Sequence, residues 1–558
     1  MRLCTHCGNR LLGAAVLFSS ALALAGAQTT ANAAAPSAEQ EGDKLLGGYG
    51  PYRANNDLLY YRLHVRVDPA KQYLSGTNAI RFRMLQDGTR IQLDLVPTFT
   101  IDGISLENAQ GKPMPLKYQR VGGRSIYIDF PRTLRKGQVY TVDFRYSGHP
   151  VEMGRFGGFV FRKDPMGRPL VNTACEEEGA SVWWPNKDQW RDEPESVDIS
   201  VEAPSNLVEV SNGRFQAKTD LHDGYTRWDW KVQYPINNYD VSLNIGTYTH
   251  FSDSYNGLSL DYFVFPEDLD KAKHQFVQVK DMLKAYEHYF GEYPFPRDGY
   301  KLVEALYSGV ENQTAITYGN HFENGYLGRP KTGIGTWFDF IIVHESAHEW
   351  FGNSITARDR SDMWIHEGWA NYCESLFVEF MWGKQDGLTY MNTGKEGVKN
   401  AKPILTEEGI YGTPPVDQYK KGALFLNTLR SVVNDDAVWF KLLHDYYQHF
   451  KYQTILTTDM AAFFSAQTGL NLTPLFNQYL RHAAIPTLEL RFDDTAHTVS
   501  YRWQADEADF AMPVRVGKHD AWQIVQPTTK EWKVLPSSIA KEDFEVATDL
   551  YYVNVRKE

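Results

Sequence analysis

The stretch VHESAHEWFGNSITARDRSDMWIHEGWANY, residues 343–372, decides the fold of this chain. It opens on HESAH, in which His344 and His348 are four residues apart within an apolar run of helical spacing. Residues four apart lie on one face of an α-helix, so both imidazoles can reach one cation. Glu345 lies one residue further round the helix, where it can stand beside a water molecule without being a ligand.

A second helix is predicted after residues 352–353, whose Gly-Asn pair should end the first helix about one turn after the second histidine. Ser361 or Asp362 is expected to cap this second helix, and Glu367 lies early in it, with eighteen residues between it and His348. Two neutral imidazoles, one carboxylate and an open fourth position are the donor set of a catalytic zinc site. We therefore predict one zinc ion on His344, His348 and Glu367; the alternative is two surface histidines and a solvated glutamate.

HESAHEWFGN followed by WIHEGWANYCE resembles the gluzincin zinc aminopeptidases of the aminopeptidase N and leukotriene hydrolase type. That family shows His-Glu-x-x-His, eighteen residues and then Glu, with Trp-Phe-Gly-Asn at the end of the first helix. His366 stands where the family usually has Asn, and the ligand Glu367 is intact. The resemblance implies that Glu374, seven residues further on, orients a ligand imidazole through its other nitrogen. The alternative for Glu374 is an ordinary exposed helix glutamate.

Two further segments resemble the family's substrate-binding elements. The segment SGVEN, residues 308–312, resembles a Gly-x-Met-Glu-Asn strand that runs along the substrate backbone, which implies that Gly309 binds substrate and Glu311 holds its free α-amino group. The segment CEEEG resembles the Gln-Cys-Glu-x-x-Gly segment of bacterial relatives, whose glutamate is Glu176 here and reaches across the domain boundary to the same amine. Without the family resemblance, the sequence would favour a plain loop carboxylate for Glu311 and a solvated acidic turn for Glu176.

The segment YKKGA, residues 419–423, matches the Tyr-x-Lys-Gly-Ala helix start of the same family. The match implies that the phenol of Tyr419 donates a hydrogen bond to the oxyanion of a tetrahedral intermediate. The alternative is one more aromatic side chain in a chain that contains 33 tyrosines.

The N-terminal residues and the net charge limit where the protein is expected to act and which partners it is expected to bind. Residues 1–27 read as a signal peptide, with a basic start, an apolar run and Ala-Gly-Ala, which predicts a soluble protein that is secreted or periplasmic. No later stretch is apolar for long enough to span a membrane. The excess of 69 Asp+Glu over 57 Lys+Arg disfavours nucleic acid and anionic membranes as partners. Cys175 and Cys373 are expected to be free, buried thiols.

Hydrophobic periodicity divides the remainder into an α+β multidomain protein. A loose leader is expected at residues 28–52, and alternating strands at 53–255 indicate an antiparallel β domain similar to the family's N-terminal saddle. Helical spacing dominates residues 256–485, as in a thermolysin-like zinc catalytic domain. Short strands at 486–558 predict a small β-sandwich. The further helical domain of longer relatives is expected to be missing.

The resemblance implies a zinc aminopeptidase that acts on peptides with a free N-terminus. Zinc would activate a water molecule, with Glu345 as general base and Tyr419 on the oxyanion. A thermolysin-like endopeptidase would share the zinc site but would have no use for the amine anchor of Glu176 and Glu311. A silent zinc-binding protein would tolerate the loss of Glu345 or Tyr419. An epoxide hydrolase would need the missing domain to shape its lipid pocket.

Overall fold

Long strands with alternating burial build the first half of the molecule. In the strand Asn56–Asp68, the side chains of Tyr61, Leu63 and Val65 are buried while His64 between them is exposed. This period of two is the one expected of a strand with one face on the core. The computed structural model describes residues 38–107, 112–329, 334–519 and 521–558, so the predicted signal peptide lies outside the described residues.

The N-terminal region consists of two short helices followed by fifteen strands, in agreement with the predicted β domain. In chain order these are α1 (Ala38–Gly47), α2 (Pro51–Ala54), β1 (Asn56–Asp68), β2 (Tyr73–Met84), β3 (Gly88–Asp94), β4 (Phe99–Glu107), β5 (Pro113–Pro115), β6 (Lys117–Val121), β7 (Ser125–Leu134), β8 (Val139–Gly148), β9 (Gly158–Lys163), β10 (Pro169–Ala174), β11 (Ser196–Pro204), β12 (Val208–Ser211), β13 (Arg214–Asp220), β14 (Tyr225–Val232) and β15 (Leu243–Gly246). Eight strands form one sheet in the order β13-β14-β11-β1-β2-β8-β4-β5. Its strands pair antiparallel, except that β1 and β11 run parallel.

The leader, predicted to be loose, is structured over its described part. The backbone carbonyls of Leu45 and Leu46 in the last turn of helix α1, and of Gly48 just after it, accept hydrogen bonds from the guanidinium of Arg53. The same guanidinium is paired with Asp94 at the end of β3, at 2.5 Å, and both side chains are fully buried. The side-chain amides of Gln92 and Gln189, both distant in the sequence, also donate to backbone oxygens at the end of α1. The prediction is therefore wrong for residues 38–52, because these groups bind a segment whose own composition is that of a linker.

The next segment forms a second sheet and moves the predicted domain boundary. It contains β16 (Thr249–Tyr255), β17 (Leu258–Val264), α3 (Leu269–Gln275), α4 (Gln278–Phe290), β18 (Tyr300–Glu304), β19 (Gly309–Val310) and β20 (Ile316–Tyr318). The five strands pair in the order β16-β17-β18-β20-β19. Because β16 pairs with β17 and so belongs to the sheet that carries β19, the boundary expected at residues 255–256 is one strand too late.

A mainly helical region follows, as predicted. Its elements are α5 (Phe340–Ala347), β21 (Ile355–Ala357), α6 (Trp364–Trp382), α7 (Lys384–Thr393), α8 (Asp417–Val433), α9 (Asp436–Phe450), β22 (Gln453–Ile455), α10 (Thr457–Thr468) and α11 (Thr473–Leu480). Helix α6 packs against α5, α7 and α8. None of the helices among the described residues is long and apolar enough to cross a membrane.

Two local details of the zinc motif differ from the prediction. Helix α5 ends at Ala347, with His348 as its C-terminal cap, rather than a full turn later. The chain then turns through Gly352, whose φ of +136° favours glycine. The expected cap of α6 by Ser361 or Asp362 is also wrong, since Met363 occupies that position and no side chain caps the helix. Asp359 instead caps the 3₁₀ turn before α6, where its carboxylate accepts from the Ser361 N–H.

The last part of the chain consists of short strands, as predicted for residues 486–558. They are β23 (Thr487–Asp493), β24 (Thr498–Gln504), β25 (Val514–Gly517), β26 (Gln523–Val525), β27 (Lys533–Pro536), β28 (Glu545–Val546) and β29 (Asn554–Lys557). They form a four-stranded sheet, β27-β24-β23-β29, and a three-stranded sheet, β26-β25-β28. Their assembly as a separate sandwich domain stays a prediction. Cys175 and Cys373 are free and buried.

The buried pair of Arg53 and Asp94 yields a stability prediction. Asp94→Ala leaves the guanidinium buried without its counter-charge, and breaking a buried pair in this way costs about 3–5 kcal/mol of unfolding free energy. Calorimetry should show a clearly lower melting temperature. The control is Lys71→Ala, which removes an exposed ion pair with Asp68 and should leave the melting temperature unchanged. Equal effects of the two substitutions would contradict the structural role given to the buried pair.

Candidate active site

Helix α5 is fixed at its start by a buried carboxylate. Asp339 accepts hydrogen bonds from the N–H groups of Ile341 and Ile342, which have no partner within the helix. Its carboxylate also accepts from the Tyr318 hydroxyl at 2.7 Å and from the Asn320 side chain at 2.8 Å. All eight residues of α5 are buried, so the helix has one orientation relative to the sheet below it.

The predicted zinc ligands converge where α5 meets α6. Nε2 of His344 lies 3.4 Å from Oε2 of Glu367, and Nε2 of His348 lies 3.6 Å from the same oxygen. With metal–ligand bonds of about 2.0–2.1 Å, a tetrahedral zinc ion would separate its ligand atoms by about 3.3–3.4 Å. Oε2 of Glu367 is buried and has no hydrogen-bond partner, which is costly unless a cation is bound. The three side chains therefore fit one zinc ion.

A hydrogen bond on Nδ1, the ring nitrogen that faces away from Glu367, sets the tautomer of His344. Nδ1 of His344 lies 2.8 Å from Oε1 of Glu374, whose other oxygen accepts from the Tyr390 hydroxyl at 2.6 Å. A carboxylate only accepts, so the proton of His344 is on Nδ1 and the Nε2 lone pair is left for a metal. The structure thus brings Glu374 to the position that the resemblance implies, buried and against a ligand imidazole.

The other imidazole has a partner that the sequence did not assign to it. Nδ1 of His348 lies 2.9 Å from Oε2 of Glu311 and 3.1 Å from the carbonyl oxygen of Phe351. The hydroxyl of Tyr239 donates a short hydrogen bond to Oε1 of Glu311. Burial opposes ionisation of Glu311, but the neighbouring imidazoles of His348 and His366 keep its pKa well below the usual range. Glu311 is therefore an ionised carboxylate already held by protein donors.

Glu176, by contrast, has a buried oxygen with no partner. Its Oε1 lacks a hydrogen bond, and burial together with the neighbouring charges of Glu311 and Glu367 raises its pKa well above the usual value. The loop that carries Glu176 is held from the catalytic side, because the Arg360 guanidinium donates to the backbone oxygens of Glu176 and Glu177 at 2.6 and 3.0 Å. The structure thus brings this loop of the β domain to the zinc ligands.

Glu176, Glu311 and His366 also place one candidate ligand atom each within 4.8 Å of one another. A second metal does not fit this group. Nε2 of His366 accepts from the backbone N–H of Ala357 at 2.8 Å, so its proton is on Nδ1, the nitrogen that faces Glu311. A protonated nitrogen cannot be a ligand. The ring of Trp190 stacks on His366 with 4.9 Å between centroids, which leaves the group without an open side there.

Glu345 and Tyr419 line the same cavity of about 350 Å³ as the zinc ligands, together with Gly309. Burial and the nearby carboxylates of Glu367 and Glu311, offset in part by the ligand imidazoles, raise the pKa of Glu345 to about 7. Burial and the charge of Glu367 raise the pKa of Tyr419 well above 10, so its phenol keeps its proton at neutral pH. A Cβ atom on Gly309 would lie 2.5 Å from Oε1 of Glu345, so only glycine leaves Glu345 in place.

The matches to known families agree with this site. Residues 274–479 match the Peptidase family M1 domain, and residues 58–239 match the Peptidase M1 N-terminal domain. The chain belongs to the M1 peptidase family. The zinc ligands, Glu345, Glu374 and Tyr419 lie within the first match, and Glu176 lies within the second.

Relatives and solved structures agree with the family. Bovine aminopeptidase N is 28% identical over 407 residues, which is 68% of this chain and 40% of the relative. Bovine endoplasmic reticulum aminopeptidase 2 is 25% identical over 278 residues, 47% of this chain and 29% of the relative. The match thus spans less than half the length of these curated relatives.

The fold is also that of an M1 zinc metallopeptidase from Deinococcus radiodurans, solved as a mutant bound to a Tyr-Ser-Ala substrate. That structure has a TM-score of 0.62 and 20% sequence identity, and the match covers 78% of this chain and 96% of the other. The β-rich N-terminal region and the helical zinc-site region therefore form a two-domain M1 peptidase fold.

Several residues of the site were not found from the sequence. Tyr239 and Trp190 contact site residues from segments that carry no motif, and Arg360 lies in the stretch between the two zinc-site helices but was given no role. The sequence contains one indirect signal for Tyr239 and Trp190. His366 stands where the family usually has Asn, and this indicates that the residues around position 366 also differ.

The geometry of the triad predicts how metal content responds to substitution. The purified chain should bind one zinc ion, and His348→Ala should bind none at micromolar metal, because two donors cannot complete the site. Glu345→Gln should retain one zinc ion, since Glu345 is not among the three converging ligands. Metal analysis after dialysis measures both. Loss of zinc from Glu345→Gln would contradict this set of ligands.

Proposed function

We propose that this protein is a zinc aminopeptidase that hydrolyses the N-terminal peptide bond of peptides. The observation that carries the proposal is the unpartnered buried oxygen of Glu176 beside the charge of Glu311, in the cavity that contains the zinc ligands. Two carboxylates beside the residues that would hold zinc are a site for an ammonium group, because charge-assisted hydrogen bonds are the strong ones. A free N-terminus supplies that group.

The reacting groups have the roles that their positions allow. Zinc, when bound, supplies Lewis acidity to the scissile carbonyl and lowers the pKa of water. The carboxylate of Glu345 takes a proton from the attacking water and passes it to the nitrogen of the leaving amine. The Tyr419 phenol donates a hydrogen bond to the oxyanion. Because Gly309 has no side chain, strand β19 can lie close to the Glu345 carboxylate without displacing it.

The amine site determines which bond is cut. With the ammonium held at Glu176, near the charge of Glu311, only the first peptide bond reaches the zinc ligands. Strand β19 is the edge strand of its sheet, so its outer backbone groups are available to an extended peptide. The names of the relatives support this substrate class, since the matched bovine proteins are aminopeptidases and the bacterial structure holds a tripeptide substrate.

The proposal extends to location and domain organisation. We propose that residues 1–27 are a signal peptide and that the protein acts outside the cytoplasm. We also propose that residues 486–558 form a β-sandwich domain that supports the catalytic helices. This is consistent with the contacts of Tyr552, whose backbone N–H donates to Thr428 of α8 and whose carbonyl oxygen accepts from Tyr479 of α11.

Tyr419→Phe tests the oxyanion role. Removing the phenol hydroxyl should lower kcat by roughly 10²–10³ while KM changes little, because the hydrogen bond forms only in the transition state. Steady-state kinetics on an aminoacyl-arylamide measures both constants. Tyr447→Phe, which removes another buried hydroxyl that contacts Ser354, should keep both constants. A change confined to KM would make Tyr419 a binding residue instead.

A peptide digestion tests the proposed function itself. One long peptide is supplied with a free and with an acetylated N-terminus, and the products are identified by mass. Stepwise loss of N-terminal residues from the free peptide alone is expected, since acetylation removes the charge that the carboxylates bind. Internal cuts in both forms would identify an endopeptidase. No cleavage by zinc-loaded protein, with Glu345 intact, would indicate a silent zinc-binding protein.

Glu176→Gln tests the amine site within the same reaction. Loss of the unpartnered carboxylate should lower kcat/KM on free-amine substrates by roughly 10²-fold, the effect of losing one charged hydrogen-bond partner. Zinc content should not change, because Glu176 is not one of the three converging zinc ligands. Unchanged kcat/KM would remove Glu176 from the proposed mechanism.

A further inference from the structure

The cavity around the zinc ligands has few groups that could bind an anion. Six carboxylates line it, and among the described residues its only lysine or arginine side chains are Arg155 and Lys420. Neither cation makes an ion pair within the part of the chain that the structure describes. Like charges repel, so a carboxylate on a bound peptide would be stabilised in this cavity only beside one of these two cations.

Arg155 lies on a tight loop that rests on the CEEEG segment. The loop closes between Met153 and Gly157, where the backbone N–H of the first donates to the carbonyl oxygen of the second at 3.1 Å. Gly154 has a φ of +64°, and a Cβ atom there would lie 1.5 Å from a carboxylate oxygen of the buried Glu178. The loop is therefore packed directly on this segment and holds Arg155 at a fixed place beside the cavity.

The other side of the loop contacts the segment that leads into strand β19. The ring centroids of Phe156 and Tyr307 are 6.3 Å apart. The Tyr307 hydroxyl donates to the carbonyl oxygen of Thr173 at 2.9 Å, which fixes Tyr307 to the end of β10. The guanidinium of Arg155 lies 5.0 Å from the centroid of the Phe156 ring. Contact with a ring face leaves the N–H groups at the edge of a guanidinium available to a ligand.

Strand β19 indicates which part of a bound peptide Arg155 would meet. In the proposed function the substrate amine lies near the charge of Glu311, and the bond that is hydrolysed lies beside Glu345, against which Gly309 packs. The path from Glu311 through Gly309 to Tyr307 thus runs from the amine, past this bond, to the leaving part of the peptide. At about 3.3 Å per residue of extended chain, Tyr307 lies alongside about the third residue.

We propose that Arg155 binds a carboxylate on the leaving side of the hydrolysed bond, so that the protein prefers peptides with a negative charge at or near the third residue. That carboxylate is either the C-terminus of a tripeptide or the side chain of an aspartate or glutamate. The guanidinium can form two parallel hydrogen bonds with both kinds. The proposal rests on the proposed function, because it concerns the residues that follow the bond an aminopeptidase hydrolyses.

Peptides with the same N-terminal residue measure this preference on the zinc-loaded full chain. A tripeptide with a free C-terminus is compared with its amide, and a hexapeptide amide with glutamate as third residue is compared with the glutamine form. In at least one pair, kcat/KM should be about 5-fold higher for the charged peptide, the upper end for an ion pair that water still reaches. The first pair reports a C-terminal carboxylate and the second a side-chain carboxylate.

The kinetic constants show how the carboxylate acts. The difference should lie in KM rather than kcat, because the carboxylate is remote from the reacting bond. It should shrink at high ionic strength, since salt screens an ion pair that is exposed to water. Equal kcat/KM within both pairs would overturn the proposal.

Variants of the two cations assign the effect to one residue. Arg155→Gln should remove the preference, and Arg155→Lys should keep part of it, since lysine keeps the charge but not the two parallel hydrogen bonds. Lys420→Gln is the matched control and should keep the preference, because Nζ of Lys420 lies beside Gly397, where an added Cβ would be 2.4 Å away. A preference that survives Arg155→Gln, or that Lys420→Gln removes equally, would overturn the proposal.

Direct binding separates this proposal from the proposed function. Glu345→Gln, which is expected to keep zinc without turnover, allows the peptide Kd to be measured by calorimetry. The Kd should be about 5-fold lower for the charged peptide, and adding Arg155→Gln should abolish the difference. If all four peptides lose their first residue at equal rates, the proposal for Arg155 fails and the aminopeptidase stands. If none is hydrolysed, the proposed function fails, and the Kd values alone decide whether Arg155 binds a carboxylate.

Discussion

The site depends on keeping several carboxylates close together out of water. Six carboxylates line one cavity with two imidazoles, and four of them matter most here: Glu176, Glu311, Glu345 and Glu367. Burial disfavours each ionised form, and like charges disfavour one another, as the raised pKa values of Glu176 and Glu345 indicate. Positive charge must offset this cost. A zinc ion on the two imidazoles and Glu367 would supply part of that compensation, the Tyr239 hydroxyl donates to Glu311, and in the proposed function a substrate ammonium at Glu176 supplies the rest.

This requirement explains why the site lies where two regions of the fold meet. The helices α5 and α6 bring the zinc ligands together, while the β-rich N-terminal region supplies Tyr239, Trp190 and the Glu176 loop. Arg360, on the helical side, joins the two regions. Its guanidinium lies 5.0 Å from the centre of the Trp190 ring and donates a hydrogen bond to the backbone oxygen of Glu176. Neither region alone could hold the full set of charges.

Much of the fold was predictable because its signals are local. Alternating burial identified strands such as β1, and three- and four-residue spacing identified the helical region that contains α8 to α11. The errors have one kind of cause. The loose leader became a bound segment because Arg53 reaches it, and β16 joined the catalytic sheet because of its pairing with β17. The shorter α5 ends where the chain must turn to bring Asn353 against Glu311.

The sequence by itself determined the zinc site. Two histidines four residues apart share a helix face whatever surrounds them, and Glu374 follows Glu367 on one face by the same periodicity. Only the tertiary structure decided what surrounds Glu311. Tyr239 is 72 residues from Glu311 and 127 from His366, so no helical or strand period relates them. Their contact comes from the packing of one region of the fold on the other, and it surrounds the carboxylate of Glu311 with buried neighbours.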